Sequence, residues 1–280
     1  MRIFATDLDG TLLDREGRVR PRDAAAIADA RRQGVVVTIA TGRLTTGTLP
    51  IARELGLDAP LVCADGGITA SATTGEVLDR RPIANPRVEL VLRAVRSRGL
   101  ASFVFNQGHI HSCDRGVPHH GYVGTWSRSI TTHEDVEGAD AWRSDPDGVV
   151  MVLGIGEPAV VDALVASMHV EAPDLDVLAF GLALFPGEGG DRIRCARFIA
   201  RGVSKGAALA VLADRLGARR EDVAVAGDWH NDLPMFAWAG RSFAMPHAPG
   251  VVKAAATDRL EASGEHGEGV AEALARWLAG

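Results

Sequence analysis

Three short apolar runs, widely separated in the chain, each end abruptly in a polar, glycine-containing turn. Residues 2–6 run into Asp7-Leu8-Asp9-Gly10-Thr11-Leu12, residues 35–40 into Thr41-Gly42-Arg43, and residues 223–226 into Gly227-Asp228-Trp229-His230-Asn231-Asp232. An aliphatic run of this length, without polar alternation, suits a strand covered on both faces, as in a parallel sheet. Parallel strands need crossovers, and helical stretches stand where crossovers are required. Pro21 opens one that residues 24–32 continue and Gly34 ends, and residues 44–55 supply another. Later, Ser204 is placed to cap a helix carrying Leu209, Leu212 and Leu216 at helical spacing, which Gly217 stops. A helix over 233–238, the stretch 243–245 and a helix over 269–278 close this part of the chain. Alternation of β and α at both ends predicts an α/β fold with a parallel sheet.

The middle of the chain reads differently. Strands are expected near 101–105, 109–113, 149–153, 177–184 and 192–196, with helices near 87–98 and 158–169. That pattern describes an α+β module inserted into the α/β domain, and 280 residues accommodate both. The expected division is 1–81 with 201–280 for the core and 82–200 for the insert. Gly187-Glu188-Gly189-Gly190 is expected to be a turn of the insert, not a phosphate loop.

The composition excludes several classes of function. A formal net charge of −6 without a long basic run argues against nucleic acid as a partner. No stretch approaches the unbroken apolar length of a membrane span, and acid appears at Asp7, before a signal peptide could form. Cys63, Cys113 and Cys195 are odd in number and far apart, as expected for reduced thiols. The expectation is a cytoplasmic protein without a membrane partner.

Side chains just past the C-terminal ends of parallel strands line the ligand crevice. Asp7 and Asp9 stand there, and two acids spaced i, i+2 allow one carboxylate to attack phosphorus while the other handles protons. Gly10 permits close backbone approach to an anion. Thr41 and Gly42, ahead of a helix, suit a phosphate oxygen. Only two of the 30 cationic side chains are lysines, Lys205 and Lys253. Lys205 lies in the first turn of a helix, where the dipole disfavours a cation, so its retention points to a specific task beside a phosphoryl group. Asp228 and Asp232, arriving beside Asp7, form an oxygen-rich set that suits magnesium.

Taken in order, DLDGTL, TGR, a lysine opening a helix and GDxxND resemble the haloacid dehalogenase-like phosphatases. The large insert resembles that of the Cof-type branch, and the resemblance spans nearly the whole chain. It implies a Rossmann-like core, a cap formed by the insert, a magnesium cofactor and a small phosphorylated metabolite as substrate. A sugar phosphate is the first expectation, with nucleotide-like, flavin and pyridoxal phosphates as further classes. It implies Asp7 as nucleophile and metal ligand, and Asp9 as general acid and base with its backbone carbonyl on the metal. Thr41, Gly42, Lys205 and Asn231 match phosphate-binding positions; Asp228 and Asp232 match further metal ligands. A phosphosugar mutase and a phospho-ligand-binding regulator without turnover are the alternative readings.

Two segments depart from the family pattern. Asp65-Gly66-Gly67 stands where Asn-Gly-Ala is common, and Ala244-Met245-Pro246-His247-Ala248 replaces Ala-Met-Gly-Asn-Ala. Both bear on substrate preference more than on chemistry. Trp229 and His230 occupy variable positions beside the metal ligands. His109, His111 and Cys113 share one strand face, with His119 and His120 close behind. A zinc site is one reading of them; polar groups facing solvent or substrate is the favoured one.

Overall fold

A computed structural model of the chain describes residues 1–182, 192–261 and 268–280. The expected turn at Gly187–Gly190 lies outside the described residues. The chain divides into two compact units. The first comprises 1–42, 48–78 and 204–280, and the second 43–47 and 79–203. The expected division placed its boundaries at 81/82 and 200/201, and the contacts place them at 78/79 and 203/204, with 43–47 clustering with the second unit.

The first unit opens with β1 (Ile3–Thr6), α1 (Pro21–Arg32), β2 (Val36–Ile39), α2 (Thr45–Glu54) and β3 (Leu61–Cys63). Strands β4 (Ile68–Ala70) and β5 (Val77–Arg80) follow, and with β3 they form a three-stranded sheet. The second unit contributes α3 (Asn85–Ser97), β6 (Ala101–Phe105), β7 (Ile110–Cys113), α4 (His120–Val123), β8 (Ile130–His133) and α5 (Asp140–Arg143). It continues through β9 (Met151–Gly156), α6 (Pro158–Glu171), β10 (Leu175–Gly181) and β11 (Arg194–Ala200). The chain then returns to the first unit with α7 (Lys205–Arg215), β12 (Val223–Gly227), α8 (Leu233–Trp238), β13 (Arg241–Ala244), α9 (Gly250–Ala255), β14 (Asp258–Arg259) and α10 (Gly269–Leu278).

The core sheet runs β14-β13-β12-β1-β2, with every pairing parallel. An isolated parallel bridge between Ala40 and Val62 carries the same sense on to β3. β1 lies centrally, in register Ile3↔Val223 on one side and Ile3↔Val36 on the other. All four of its residues are buried, as the unalternating sequence requires for a strand covered on both faces. Ile3, Ala5, Val223 and Val225 pack with Leu209, Leu212 and Phe236.

The second unit holds a six-stranded sheet in the order β10-β11-β9-β6-β7-β8, antiparallel except for the parallel pair β7–β8. Helix α3 buries Val88, Val91, Leu92 and Val95, and α6 buries Val161, Leu164 and Met168, in one core with Val104, Val152 and Phe198. Trp142 is enclosed in that core, and its indole N–H donates to the Val136 carbonyl at 2.6 Å, so the large side chain buries no unsatisfied donor.

Several elements differ from expectation. Of the strand expected over 177–184, residues 183–184 lie outside the described residues, and the described strand runs 175–181; the one expected over 192–196 runs 194–200, their antiparallel register coupling Leu175 to Ala200 and Gly181 to Arg194. The strand expected over 149–153 continues to Gly156 to match β11. β4, β5, β8 and the short helices α4 and α5 carry too few apolar residues for a periodic signal. Among the described residues, no helix is long and apolar enough to cross a membrane.

Candidate active site

The C-terminal ends of β1 and β12 lie side by side, and the turns that leave them hold most of the acids singled out above. The Asp7 amide donates to the Ala226 carbonyl at 2.9 Å, continuing the ladder one residue past β1 and fixing where the Asp7 side chain begins. Leu8 then accepts from the amides of Thr11, Leu12 and Leu13, closing a tight turn in which Gly10 adopts φ +78°. A Cβ at Gly10 would stand 2.4 Å from Asp228 Oδ2, so both the left-handed turn and the approach of the second acid need glycine there. Thr11 Oγ1 donates to Asp228 Oδ1 at 3.0 Å, tying the two turns together.

Asp228 and Asp232 are set by the turn after β12. Asp232 Oδ2 accepts from the backbone amides of Asp228 and Trp229, at 2.8 and 2.9 Å, which satisfies two donors that the turn would otherwise orphan. Its other oxygen, Oδ1, accepts from Lys205 Nζ at 2.6 Å, and the same ammonium donates to Asp7 Oδ1 at 2.8 Å. Lys205 arrives on α7, whose N-cap is Ser204, with Oγ accepting from the Ala207 amide at 3.1 Å as the sequence pattern requires. Lys205 is 0% exposed, which rules out a surface role for this lysine.

Desolvation pushes the Asp7 carboxyl well above the usual range; Lys205 pulls it down, and Asp232 and Asp228 push it up further. Asp232 is raised for the same leading reason, against the pull of Lys205. Burial alone would lower the Lys205 ammonium, but Asp232, Asp7 and Asp65 outweigh it and hold the group above an ordinary lysine. One ammonium therefore faces more carboxylate charge than it can neutralise.

Asp7, Asp228 and Asp232 each offer a buried ligand atom, and these atoms lie within 4.8 Å of one another. A compact, all-oxygen set with surplus negative charge is the donor chemistry that a hard divalent cation takes, so the residues fit magnesium. The Asp9 carboxylate is not part of that trio, and the resemblance implies only its backbone carbonyl for the metal. Asp9 lies in the turn after Asp7, half-buried, with its backbone bridged to Leu13.

Thr41 is buried at the end of the β2 extension, its amide donating to Val62 O and its carbonyl accepting from the Asp65 amide. Helix α2 begins only at Thr45, so Thr41 and Gly42 precede the helix without belonging to its first turn. Asn231 Nδ2 donates to Asp65 Oδ1 at 2.8 Å.

Three participants were not placed at the site by sequence alone, although Asp65 and His247 stood in segments that depart from the family pattern. Thr11 reveals itself only through its bond to Asp228. His247 Nε2 stands 3.4 Å from Asp228 Oδ2. Asp65 was noted as a departure but not as a neighbour of Lys205 and Asn231. Its signal was conformational: Ala64 and Asp65 are the two non-glycine residues with positive φ among the described residues, at 49° and 54°. Consecutive left-handed residues cluster where a site over-determines the backbone. In the second unit, His109 hydrogen-bonds Ser129 Oγ and Thr131 Oγ1 at 2.5 and 2.8 Å, and His111 Nδ1 lies 2.9 Å from His133 Nε2. Cys113 Sγ accepts from the Ser102 amide, and His120 pairs with Ser112. Among the described residues the metal-type cluster is the aspartate trio, not these side chains.

The family model for haloacid dehalogenase-like hydrolases matches residues 4–171 and 190–274. The chain is 25% identical over 281 residues to the 5-amino-6-(5-phospho-D-ribitylamino)uracil phosphatase YcsE of Bacillus subtilis, covering 99% of this chain and 96% of the relative. It is 28% identical over 274 residues to the pyridoxal phosphate phosphatase YbhA of Escherichia coli, covering 91% of each. The solved structure of a haloacid dehalogenase-like hydrolase from B. subtilis superposes with a TM-score of 0.80 at 24% identity, over 98% of this chain and 99% of that one. The chain belongs to the haloacid dehalogenase-like hydrolase family.

Proposed function

We propose that the protein is a magnesium-dependent phosphomonoester hydrolase that moves the phosphoryl group of a small metabolite onto Asp7 and then releases it to water. The observation that carries this reading is the buried Lys205 ammonium, held between Asp7 Oδ1 and Asp232 Oδ1. Burying such a triad is seldom the most stable way to fill a core, so its presence at strand ends argues for chemistry. Asp7, Asp228 and Asp232 would hold the magnesium, which supplies positive charge against the phosphoryl oxygens.

Asp7 attacks phosphorus in line, and the bond from phosphorus to the ester oxygen breaks. Asp9, protonated at that moment, gives its proton to the leaving oxygen. As a carboxylate it then takes a proton from water, whose oxygen attacks the aspartyl phosphate, and Asp7 returns as a free carboxylate. Lys205, Thr41, Gly42 and Asn231 hold the equatorial oxygens as charge shifts among them. The second unit contributes none of these groups, and we assign it the role of cap, excluding water and reading the leaving group.

The substrate class is a small phosphorylated metabolite, with sugar phosphates tested first. The substrates in the two relatives' names, a phosphoribitylaminouracil and pyridoxal phosphate, are of that size and kind. The mechanism is tested by Asp9→Asn with p-nitrophenyl phosphate, whose leaving group needs little acid help. Rapid mixing is expected to give a burst of nitrophenol near one equivalent per site, followed by slow turnover as the aspartyl phosphate waits for a base. Unchanged steady turnover without a burst would remove Asp9 from the acid–base role.

A further inference from the structure

Asp65 is a buried acid of the site that the phosphoryl-transfer scheme does not use. It is 3% exposed, in left-handed backbone, on the turn after β3. Its Oδ1 accepts from Asn231 Nδ2 at 2.8 Å, and a Cβ at Gly42 would stand 3.4 Å from the same oxygen. Its charge also acts on Lys205. It therefore borders Asn231, Gly42 and Lys205, three of the groups assigned to the phosphate.

Two consequences follow from its being a carboxylate. A carboxylate only accepts hydrogen bonds, so Asn231 must turn its NH2 toward it, which fixes the amide flip. Asn231 Oδ1 is thereby committed as an acceptor, and it is buried without a hydrogen-bond partner. Such an atom is satisfied only when a donor arrives. The second consequence is charge. Asp65 joins Asp7 and Asp232 as buried acids acting on Lys205, while buried Asp228 clusters with Asp7 and Asp232 and has His247 Nε2 3.4 Å from its Oδ2. Each added negative charge on a ligand meets this field.

Resting on the phosphate-site reading above, we infer that Asp65 is a specificity-determining residue. By fixing Asn231 as an acceptor and adding negative charge beside Lys205, it makes the site favour a singly ionised phosphoryl group, which carries a hydroxyl donor, over the doubly ionised form. A neutral amide at the same position would lift both constraints, since it carries no charge and can donate to Asn231 as well as accept from it.

The test is calorimetric titration of inorganic phosphate into the magnesium-loaded protein between pH 5.5 and 8, comparing wild type with Asp65→Asn. Asparagine tolerates the left-handed backbone, and a thermal melt checks that the variant is folded. Wild-type affinity is expected to weaken across that range by about tenfold more than that of the variant, which binds phosphate more tightly at pH 8. Parallel pH profiles would overturn the inference and leave the phosphate site intact. Absence of phosphate binding to wild type at every pH would overturn the phosphate-site reading and this inference with it. If Asp65→Asn fails to fold, Asp65→Ser carries the same comparison under the same criteria.

Discussion

The two units each hold a cluster of titratable side chains, buried in the first and partly buried in the second, and they satisfy them in opposite ways. In the first, Asp7 and Asp232 share the charge of one ammonium, and burial and mutual repulsion push both carboxyls above their ordinary range. In the second, His109 finds the hydroxyls of Ser129 and Thr131 and His111 finds another imidazole, so these hydrogen bonds are made internally. Desolvation and the other histidines lower His111 to about 4, and His109 is lowered as well. A polar cluster that completes itself is architecture. One left with surplus charge is poised for a ligand.

The contrast can be pressed hardest through the metal. If surplus charge marks the first cluster, exhaustive chelation should abolish phosphatase turnover and magnesium should restore it, with calcium a poor substitute because it prefers looser coordination. Full activity after chelation, in a phosphate-release assay, would erase the distinction between the clusters. Next in size is Lys205→Met. Removing the ammonium leaves Asp7 and Asp232 buried without their partner, so turnover should fall by on the order of a hundredfold or more. Stability should drop by about 3–5 kcal/mol in denaturant unfolding, the usual effect of stranding one side of a buried pair. Loss of stability with wild-type turnover would make Lys205 a purely structural counter-ion.

Another acid sharpens the comparison because it is buried outside the site. Asp23 on α1 accepts from the Ala271 amide at 2.7 Å, while its Oδ2 has no hydrogen-bond partner. Desolvation outweighs that bond and raises its carboxyl to about 6. The folded state therefore binds this proton more tightly than the unfolded chain, whose carboxyl keeps its ordinary value near 4. Stability from this group is fully present below about pH 4 and is lost as pH rises through about 6. Melting of wild type against Asp23→Asn should diverge by about 1–3 kcal/mol over that window, with the variant gaining at neutral pH. A constant difference across the range would return Asp23 to an unperturbed acid. The smallest effect is expected at His111→Asn, which removes the bond to His133. It should cost about 1 kcal/mol of stability and leave magnesium dependence of turnover unchanged.

The core was readable because its strands are covered on both faces, and so appear as unalternating runs ended by acid and glycine. Asp7, Lys205, Asp228 and Asp232 could be placed together because parallel strands deliver their C-terminal turns to one edge of the sheet. Thr11 and His247 were not readable as partners of Asp228, since 217 residues separate Thr11 from it and no local pattern encodes that meeting. The left-handed pair at Ala64 and Asp65 was hidden for a different reason. Neither residue is glycine, and the conformation comes from the surrounding loops. Strand β8, Ile-Thr-Thr-His, has a weak apolar signal and exists because β7 offers it a parallel edge.

The central position of β1 has a consequence for synthesis on the ribosome. Its register partner on one side, β2, follows within a few dozen residues, but the partner on the other side begins at Val223. Until that segment emerges, Ile3–Thr6 is an apolar strand with one unpaired edge, exposed to mispairing or to chaperones. The second unit is nearly continuous in sequence from 79 to 203, so its six-stranded sheet can close during that wait. Asp7, the proposed nucleophile, is thus made well before its neighbours Lys205, Asp228 and Asp232. The nascent chain cannot assemble the charged site until the segment carrying Asp232 has been translated.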